Sequence, residues 1–593
     1  MATIRQTTKR IPTEISRFLG INIDTTGDTQ IELGESGDMQ NFRITENYKL
    51  KKREGYRKLF DNIQGIVRGM WYGKLNGTYH FLFACNGNVY EHDMITGTNT
   101  SIGTLTDAKT VFFAFNDNVY ILNGAEYKKW TGSGNIVDVE GYIPLIAVST
   151  PPGGGGTLYE PVNLLTGKKR QQFSPDGSST TFQLAETNID RVDKVWVEGE
   201  LQETSKYTVD KEKGIVTFAG LEKGFNTLEI QWTKGNGNRD AVLKCRAAML
   251  FGGSNDTRVF IWGNPDTPNR TYYSELADGV PSAEYFPELY FNDVGSSEYA
   301  ITDIVRQYDR QIIFKENEAW YSYYNLEYDE LGDKLVSFPL YPLNSVKGNV
   351  AFNQSRVIQN NPYTLMEGVY EWISTNVRDE RNAVYKSKRV QPDLDNIDLS
   401  KCITCDYEQK WEYWICHDND VWIYNYRIDV WYRYKLGHKP TCFLVIDGDL
   451  YFGTQGTIMC FDDDRPTDEG ITIDAYWEMN FYDFGAEWLR KYLNRIWISL
   501  KPEIKVSLDV EWETDRNINT TEIQTIEYNL FDYARLDYEN WTYNTRYNPQ
   551  PFRLKVKAKK FTYFKLILKN NSNMTSATVL SINLAARAGG ESK

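Results

Sequence analysis

Residues 79–92 read YHFLFACNGNVYEH, and residues 111–123 read VFFAFNDNVYILN. Each is a run rich in aromatic and β-branched residues, broken by an Asn-Gly or Asn-Asp step and then resumed. That is the pattern of a tight β-hairpin. The two stretches superpose at a spacing of 30 positions: Asn86 on Asn116, Asn88 on Asn118, Val89 on Val119, Tyr90 on Tyr120. The same unit recurs as VIDGDLYFG (445–453) and ICHDNDVWIYNYRIDVWYRY (415–434). Looser copies are MLFGGSNDTRVFIWG (249–263), RQIIFKENEAWYSYY (310–324) and MEGVYEWISTN (366–376). One hairpin cannot bury its own face. Copies arranged about an axis can, so the reading is an all-β chain built on a β-propeller over 61–150 and 239–470. At about 40–50 residues per blade, those stretches hold about six to eight blades.

Two glycine-rich breaks interrupt the repeat, STPPGGGGT (149–157) and KGNGNRD (234–240). Between them, FSPDGSSTTFQL (173–184), VDKVWVEGELQ (192–202), YTVDKEKGIVTFAG (207–220) and FNTLEIQWT (225–233) predict a small β-sandwich inserted into the propeller over 151–238. Gly153, Gly154, Gly155, Gly156, Gly235 and Gly237 have little backbone restriction. They are expected to act as hinges that let the insert move as a gate or a fibre contact. Beyond 470 the hairpins give way to longer alternating strands, LNRIWISL (493–500), KVSLDVEWET (505–514) and FRLKVKAKKFTYFKLILK (552–569), which predict a terminal β-sandwich over 471–593. Helical periodicity is weak, with its best candidates in short turns near 35–43 and 484–492. Residues 1–60 lack the hairpin pattern and read as an extended N-terminal assembly arm.

Composition narrows the function. Of 593 residues, 41% are hydrophobic and 25% charged, which excludes a disordered chain or a coiled coil. Tyr 40, Phe 28 and Trp 16 are numerous, as half-buried pleated surfaces require. Sixty-six basic residues against 80 acidic ones leave a net charge of −14. That argues against a protein that grips nucleic acid by its phosphates. No apolar run is long enough to cross a bilayer as a helix. MATIRQTTKRIPTEISRF lacks the apolar stretch of a signal peptide, and seven scattered cysteines read as reduced thiols; synthesis in a cytoplasm is expected.

Chemistry-bearing constellations are weak. His80, His92, His417 and His438 stand in no nucleophile elbow and at no metal-ligand spacing. Cys402 and Cys405 lie three apart, on opposite faces of a strand, so a zinc site with His417 is disfavoured. The Gly153–Gly156 run precedes no Gly-Lys-Ser/Thr. The acidic clusters Asp462-Asp463-Asp464 and Glu316/Glu318 fit no calcium loop and no glycosidase box. The expectation is a non-enzyme with no cofactor. Two basic patterns remain as candidate docking surfaces. LKKREGYRK (50–58) carries Lys51, Lys52, Arg53, Arg57 and Lys58. In 552–565, Arg553, Lys555, Lys557, Lys559 and Lys565 fall on odd positions, Leu554, Val556 and Ala558 alternate with them and Phe561 and Phe564 follow, which places the cations on one face of one strand.

Residues 18–59 contain Gly-Ile-Asn (20–22), then IELGESGDMQNF (31–42), then LKKREGY (50–56). This resembles the opening of tail nozzle or tail hub proteins, also called stabilisation proteins, of short-tailed phages. TYYSELADGVPSAEYFPELYFNDVGSSEYAITDIVRQYDRQIIFKENEAWYSY (271–323) is similar to their central stretch. The resemblance implies a virion structural protein made in the host bacterial cytoplasm. It would form a homo-oligomeric ring, usually a hexamer, below the portal and adaptor. It would extend the DNA ejection channel, which DNA traverses without specific binding, and would carry tail fibres or gate the channel. No catalytic residue is implied. The competing expectation is a propeller that binds or cleaves host-surface carbohydrate, for which an exposed aromatic-and-acid pocket on one propeller face would be the mark.

Overall fold

In a computed structural model, the described residues are 10–24, 32–61, 63–328, 334–374, 382–516, 523–531 and 541–591. The chain is all-β and propeller-like, and it divides into two compact units. One comprises 68–362 and 373–382; the other comprises 1–67, 363–372 and 383–593.

The first unit holds four consecutive antiparallel meanders. Their strands are Val67–Leu75, Thr78–Cys85, Asn88–His92 and Asn99–Thr104; Val111–Phe115, Asn118–Leu122, Tyr127–Trp130 and Val137–Asp138; Ala247–Gly253, Asp256–Trp262, Arg270–Tyr273 and Phe291–Asp293; and Ile301–Gln307, Arg310–Lys315, Ala319–Tyr323 and Leu340–Asn344. Turn chemistry sets the hairpins. Asn86 and Gly87 sit at φ 50° and 70°, and Asn116 and Asp117 at 47° and 54°, the left-handed pair that a two-residue hairpin needs. Successive meanders pack face to face. Leu75, Leu82 and Val89 of the first meet Val119, Ile121 and Trp130 of the second. Tyr120, Leu122 and Tyr127 meet Val259, Ile261 and Tyr272 of the third. Ala247 and Trp262 meet Ile301, Ile304 and Ile313 of the fourth. The second and third sheets are thus covered on both sides, the arrangement of propeller blades. The 30-residue spacing is not a blade step: 79–92 supplies middle strands of one sheet, whereas 111–123 supplies the first two of the next.

The insert has two sheets. One orders Thr157–Leu158, Leu145–Thr150, Lys168–Phe173, Leu228–Thr233, Arg191–Val197 and Glu200–Leu201; the other is Thr181–Gln183, Ile215–Phe218 and Tyr207–Asp210. Phe173, Phe182, Val195, Val216, Ile230 and Trp232 fill the core of this small sandwich. Its first strand begins at Leu145, earlier than the expected boundary at 151.

The second unit holds the meanders Asn361–Leu365/Val369–Trp372/Ala383–Tyr385 and Ile403–Tyr407/Glu412–His417/Asp420–Asn425/Val430–Lys435. A further sheet, Cys442–Ile446/Asp449–Gly453/Ile458–Asp462, is completed by Gly55–Lys58 from the N-terminal segment, with Met459 opposite Lys58 and Asp462 opposite Gly55. The terminal sandwich is also built from both ends of the chain. Arg10–Ile15 and Leu50–Lys52 pair with Thr578–Glu591, and Glu35–Gln40 pairs with Ala475–Met479. The expectation of an extended arm over 1–60 is therefore corrected. Those residues within it that are described supply strands to both sheets of the sandwich and the last strand of a meander. The helical turns expected near 35–43 and 484–492 are also corrected: Glu35–Gln40 and Leu489–Leu500 are strands. Alternation over so few residues fits either period, and pairing partners far along the chain decide it. The described helices are short, such as Asp240–Leu243 and Gln391–Leu394. Among the described residues, no helix is long and apolar enough to cross a membrane.

Candidate functional site

The basic stretch 50–58 is largely internal. The Arg53 side chain is 1% exposed. Its guanidinium donates from Nη1 and Nη2 to the two carboxylate oxygens of Asp468 at 2.7 and 2.6 Å. It also donates to Asn41 Oδ1 at 2.8 Å, the Lys435 carbonyl at 2.8 Å and the Glu54 carbonyl at 3.1 Å. Lys52, also buried, donates to Asn570 Oδ1 at 2.7 Å and the Ser572 carbonyl at 2.9 Å. Burial, then the neighbouring Arg53 charge, push its ammonium down to about 8. Lys51 pairs with Glu54 at 2.6 Å, Lys58 with Asp61 at 2.8 Å, and Arg57 lies 3.7 Å from Asp462. Burial alone would raise the Glu54 carboxyl, but Arg43, Lys410 and Lys51 together hold it far below the usual range. Lys52 and Arg53 are thus corrected from docking candidates to internal staples: each sits where a strand from one end of the chain meets residues from far along it.

The residues that carry the family resemblance do the same work. Glu35 accepts from Asn22 Nδ2 at 2.8 Å. Ser36 Oγ donates to the Glu478 carbonyl at 2.8 Å. Asp38 meets Arg433 at 2.7 Å. Met39 and Phe42 are fully buried. At Gly55 a Cβ would lie 1.9 Å from the Thr467 carbonyl oxygen, so only glycine fits where this strand enters its sheet.

The second basic pattern is a surface over 553–559, and is corrected at Lys565, which lies on the next strand, Phe564–Asn570, and pairs with Glu478. Gln550–Phe561 pairs only with Leu489–Leu500, at the edge of its sheet. Arg553, Lys555, Lys557 and Lys559 are exposed, while Leu554, Val556 and Ala558 are buried. The register extends the cationic face across the sheet. Arg495 stands opposite Lys555, Tyr492 joins Lys559 to Arg587, and Arg587 stands opposite Arg10. Among the described residues, Arg10, Arg495, Arg553, Lys555, Lys559 and Arg587 form no ion pair. Sequence alternation finds one strand of this face. Arg495, Arg587 and Arg10 join it only through pairing.

The glycine runs are turns within structure. Gly153–Gly156 connects Leu145–Thr150 to Thr157–Leu158, a hairpin inside the insert's own sheet. Gly154 N donates to the Pro151 carbonyl at 3.0 Å. At Gly156 (φ +97°) a Cβ would meet Thr150, and at Gly237 (φ +68°) the carbonyls of Leu164 and Thr166. Gly235 N donates to Asp190 at 2.8 Å. The insert is pinned besides: Leu164 and Leu165 enter the apolar core between the second and third meanders, and Asn163 Nδ2 donates to the Tyr142 and Glu284 carbonyls. The hinge assignment of Gly153, Gly154, Gly155, Gly156, Gly235 and Gly237 is corrected accordingly, because the strand before the first run already belongs to the insert.

Sequence reasoning missed a cleft of about 590 Å³ on the first unit, lined by Tyr142, Arg170, Gln172, Trp196, Glu229, Gln231 and Asp278, among others. Three neighbouring strands of the insert present its floor. Leu228, Ile230 and Trp232 point into the core, so Glu229 and Gln231 face outward. Cross-strand register places Gln172 and Trp196 on either side of Glu229, and Arg170 beside Gln231. Gln172 Nε2 donates to Glu229 at 2.9 Å, and Arg170 lies 3.5 Å from the same carboxylate. Tyr142 forms a wall: its hydroxyl donates to Asp278 at 2.9 Å and Glu160 at 3.0 Å, and receives from Arg170 at 3.3 Å. Burial, with Asp278 and Glu160 nearby, raises the phenol well above its ordinary value. The alternation in LEIQWT was visible. Tyr142 and Asp278, from distant parts of the chain, were not.

No family model and no curated protein matches this sequence. Solved structures do match. BamB from Moraxella catarrhalis is 10% identical, with 77% of this chain and 98% of that one covered, at a TM-score of 0.31. The AfRom2 CNH domain is 6% identical, with 69% and 99% covered and a TM-score of 0.34. An exo-β-1,3-galactanase from Phanerochaete chrysosporium is 6% identical, with 57% and 95% covered and a TM-score of 0.22.

Proposed function

We propose that this chain is a non-catalytic structural subunit of a phage tail, assembling into a ring through its basic sheet face. The observation that carries the reading is that face: six cations without an ion pair among the described residues, on one side of an edge-terminated sheet, in a chain of net charge −14. A cationic patch on an acidic protein is complementary to the acidic remainder of a second copy or to an acidic adaptor. The resemblance of residues 18–59 to tail nozzle and hub proteins supplies the setting. The partners in this reading are further copies of the chain, a portal or adaptor, and fibre proteins. DNA passes an acidic body that gains nothing from binding phosphates. The test is negative-stain imaging and sedimentation of purified protein, beside an Arg553→Glu/Lys555→Glu variant. Rings in the first and monomers in the second support the reading. Monomers in both, with particles lacking the protein by antibody labelling, refute it.

One observation favours the second reading, carbohydrate binding: the cleft joins aromatic rings to acids and amides, on the insert's sheet rather than on the propeller face where that reading expects them.

A further inference from the structure

We infer that the cleft between Tyr142 and Trp196 is a binding site for a neutral, hydroxyl-rich oligosaccharide. The inference deepens the carbohydrate-binding reading and rests on it, independently of ring assembly. Four features argue for it. First, size: about 590 Å³ falls within the range of small-ligand sites, roughly 300–1,000 Å³. Second, chemistry: the floor pairs a flat apolar surface, Trp196, with the planar polar groups of Gln172, Glu229, Gln231 and Arg170. A pyranose has matching halves, a C–H face that packs on an aromatic ring and a rim of hydroxyls that both donate and accept.

Third, an unused polar group points there. Gln231 is only 6% exposed, lines the cleft, and has no side-chain hydrogen-bond partner among the described residues. The amide oxygen and nitrogen are open to the cleft rather than sealed from solvent, and a ligand hydroxyl can donate to the one and accept from the other. The half-buried Trp196 ring lines the cleft beside it. Fourth, charge: Arg170 is balanced by Glu229, and Asp278 adds a further negative group. Arg170 is the one cation among the described lining residues and is already engaged by Glu229, so an anionic sugar or a phosphate finds no free counter-charge there, whereas a neutral polyol meets donors and acceptors. The rigidity of a paired sheet holds these groups in place before a ligand arrives. Glu229 and Asp278 are engaged by Gln172, Arg170 and Tyr142, and no pair of free carboxyls flanks a bond to be cleaved, so the site is assigned binding alone.

The test uses the full chain. Saturation-transfer NMR and tryptophan fluorescence would be measured with maltotetraose, cellotetraose and lactose, with 3′-sialyllactose as the anionic arm, and a printed glycan array would widen the search. The expected result is saturable binding of at least one neutral glycan. Trp196→Ala should weaken it about tenfold or more, and Gln231→Leu should weaken it without lowering the melting temperature. Lys555→Glu, on the remote basic face, should leave it unchanged. Absence of binding to every neutral glycan, binding confined to the anionic arm, or binding indifferent to both cleft variants overturns the inference. Ring assembly is read separately from the same preparations, so its loss or retention bears on the tail reading alone.

Discussion

Replacing Arg53 by Met tests whether the N-terminal segment is a staple or a free arm. All five guanidinium N–H donors have acceptors: Asp468 twice, Asn41, and the carbonyls of Lys435 and Glu54. The substitution keeps an apolar stem but leaves the Asp468 carboxylate, 3% exposed, with the Gly437 N–H at 3.0 Å in place of a bidentate cation. Removing one partner of a buried pair costs about 3–5 kcal/mol. With a urea slope of about 3 kcal/mol/M, a loss of about 4 kcal/mol moves the midpoint by more than 1 M. Trp414, Trp431 and Trp477 are buried in the same unit, so their fluorescence reports the transition. Asp468→Leu should cost a comparable amount, because it strands the guanidinium. The double variant should cost less than the sum by about 2 kcal/mol or more. The loss should persist in 1 M NaCl, since a buried pair is little screened. If Arg53→Met shifts stability by under about 1 kcal/mol, or the single costs simply add, Arg53 is not the staple described.

Other outcomes follow from the same geometry. Removing residues 1–60 should abolish cooperative unfolding of the second unit, read by circular dichroism, because it takes strands from both sandwich sheets and from the meander ending at Asp462. Gly55→Ala should destabilise by about 1–3 kcal/mol in urea titration, since its Cβ meets a backbone carbonyl. Asp303 is buried, and that burial raises its carboxyl from 3.8 to about 6 despite Arg356 and the Ser355 and Ile304 N–H groups. A raised folded value means that the native state holds the proton more tightly. This contribution is therefore present in full below pH 3.8 and lost as pH rises through 6, amounting to about 3 kcal/mol. Asp303→Asn should remove this slope, so the wild-type-minus-variant stability difference should fall by about 3 kcal/mol across that window in urea titrations at successive pH values. Arg553→Glu/Lys555→Glu should change melting by no more than about 0.5 kcal/mol, because the side chains are exposed, while ring formation is lost.

Local chemistry was enough to read the hairpins. Asn86-Gly87, Asn116-Asp117 and Asp447-Gly448 specify their turns from adjacent residues, and the flanking alternation says which side is buried. The composition and net charge of the chain, and the alternation of Arg553, Lys555, Lys557 and Lys559, needed no structure either. What required the tertiary structure was the identity of partners distant along the chain. Lys52 and Lys555 both sit in basic, strand-forming sequence. One is buried against Asn570 and the other is exposed, because Leu50–Lys52 has sheet neighbours and Gln550–Phe561 lies at an edge. Gly153–Gly156 looks like a linker until Leu145–Thr150 is seen to pair on its far side. The cleft needs Tyr142 and Asp278 beside Arg170 and Glu229, side chains that no periodicity connects. Turn geometry and strand alternation are set by forces acting over a few residues. Burial and charge pairing depend on which segments close long loops together, and the folded topology alone determines that.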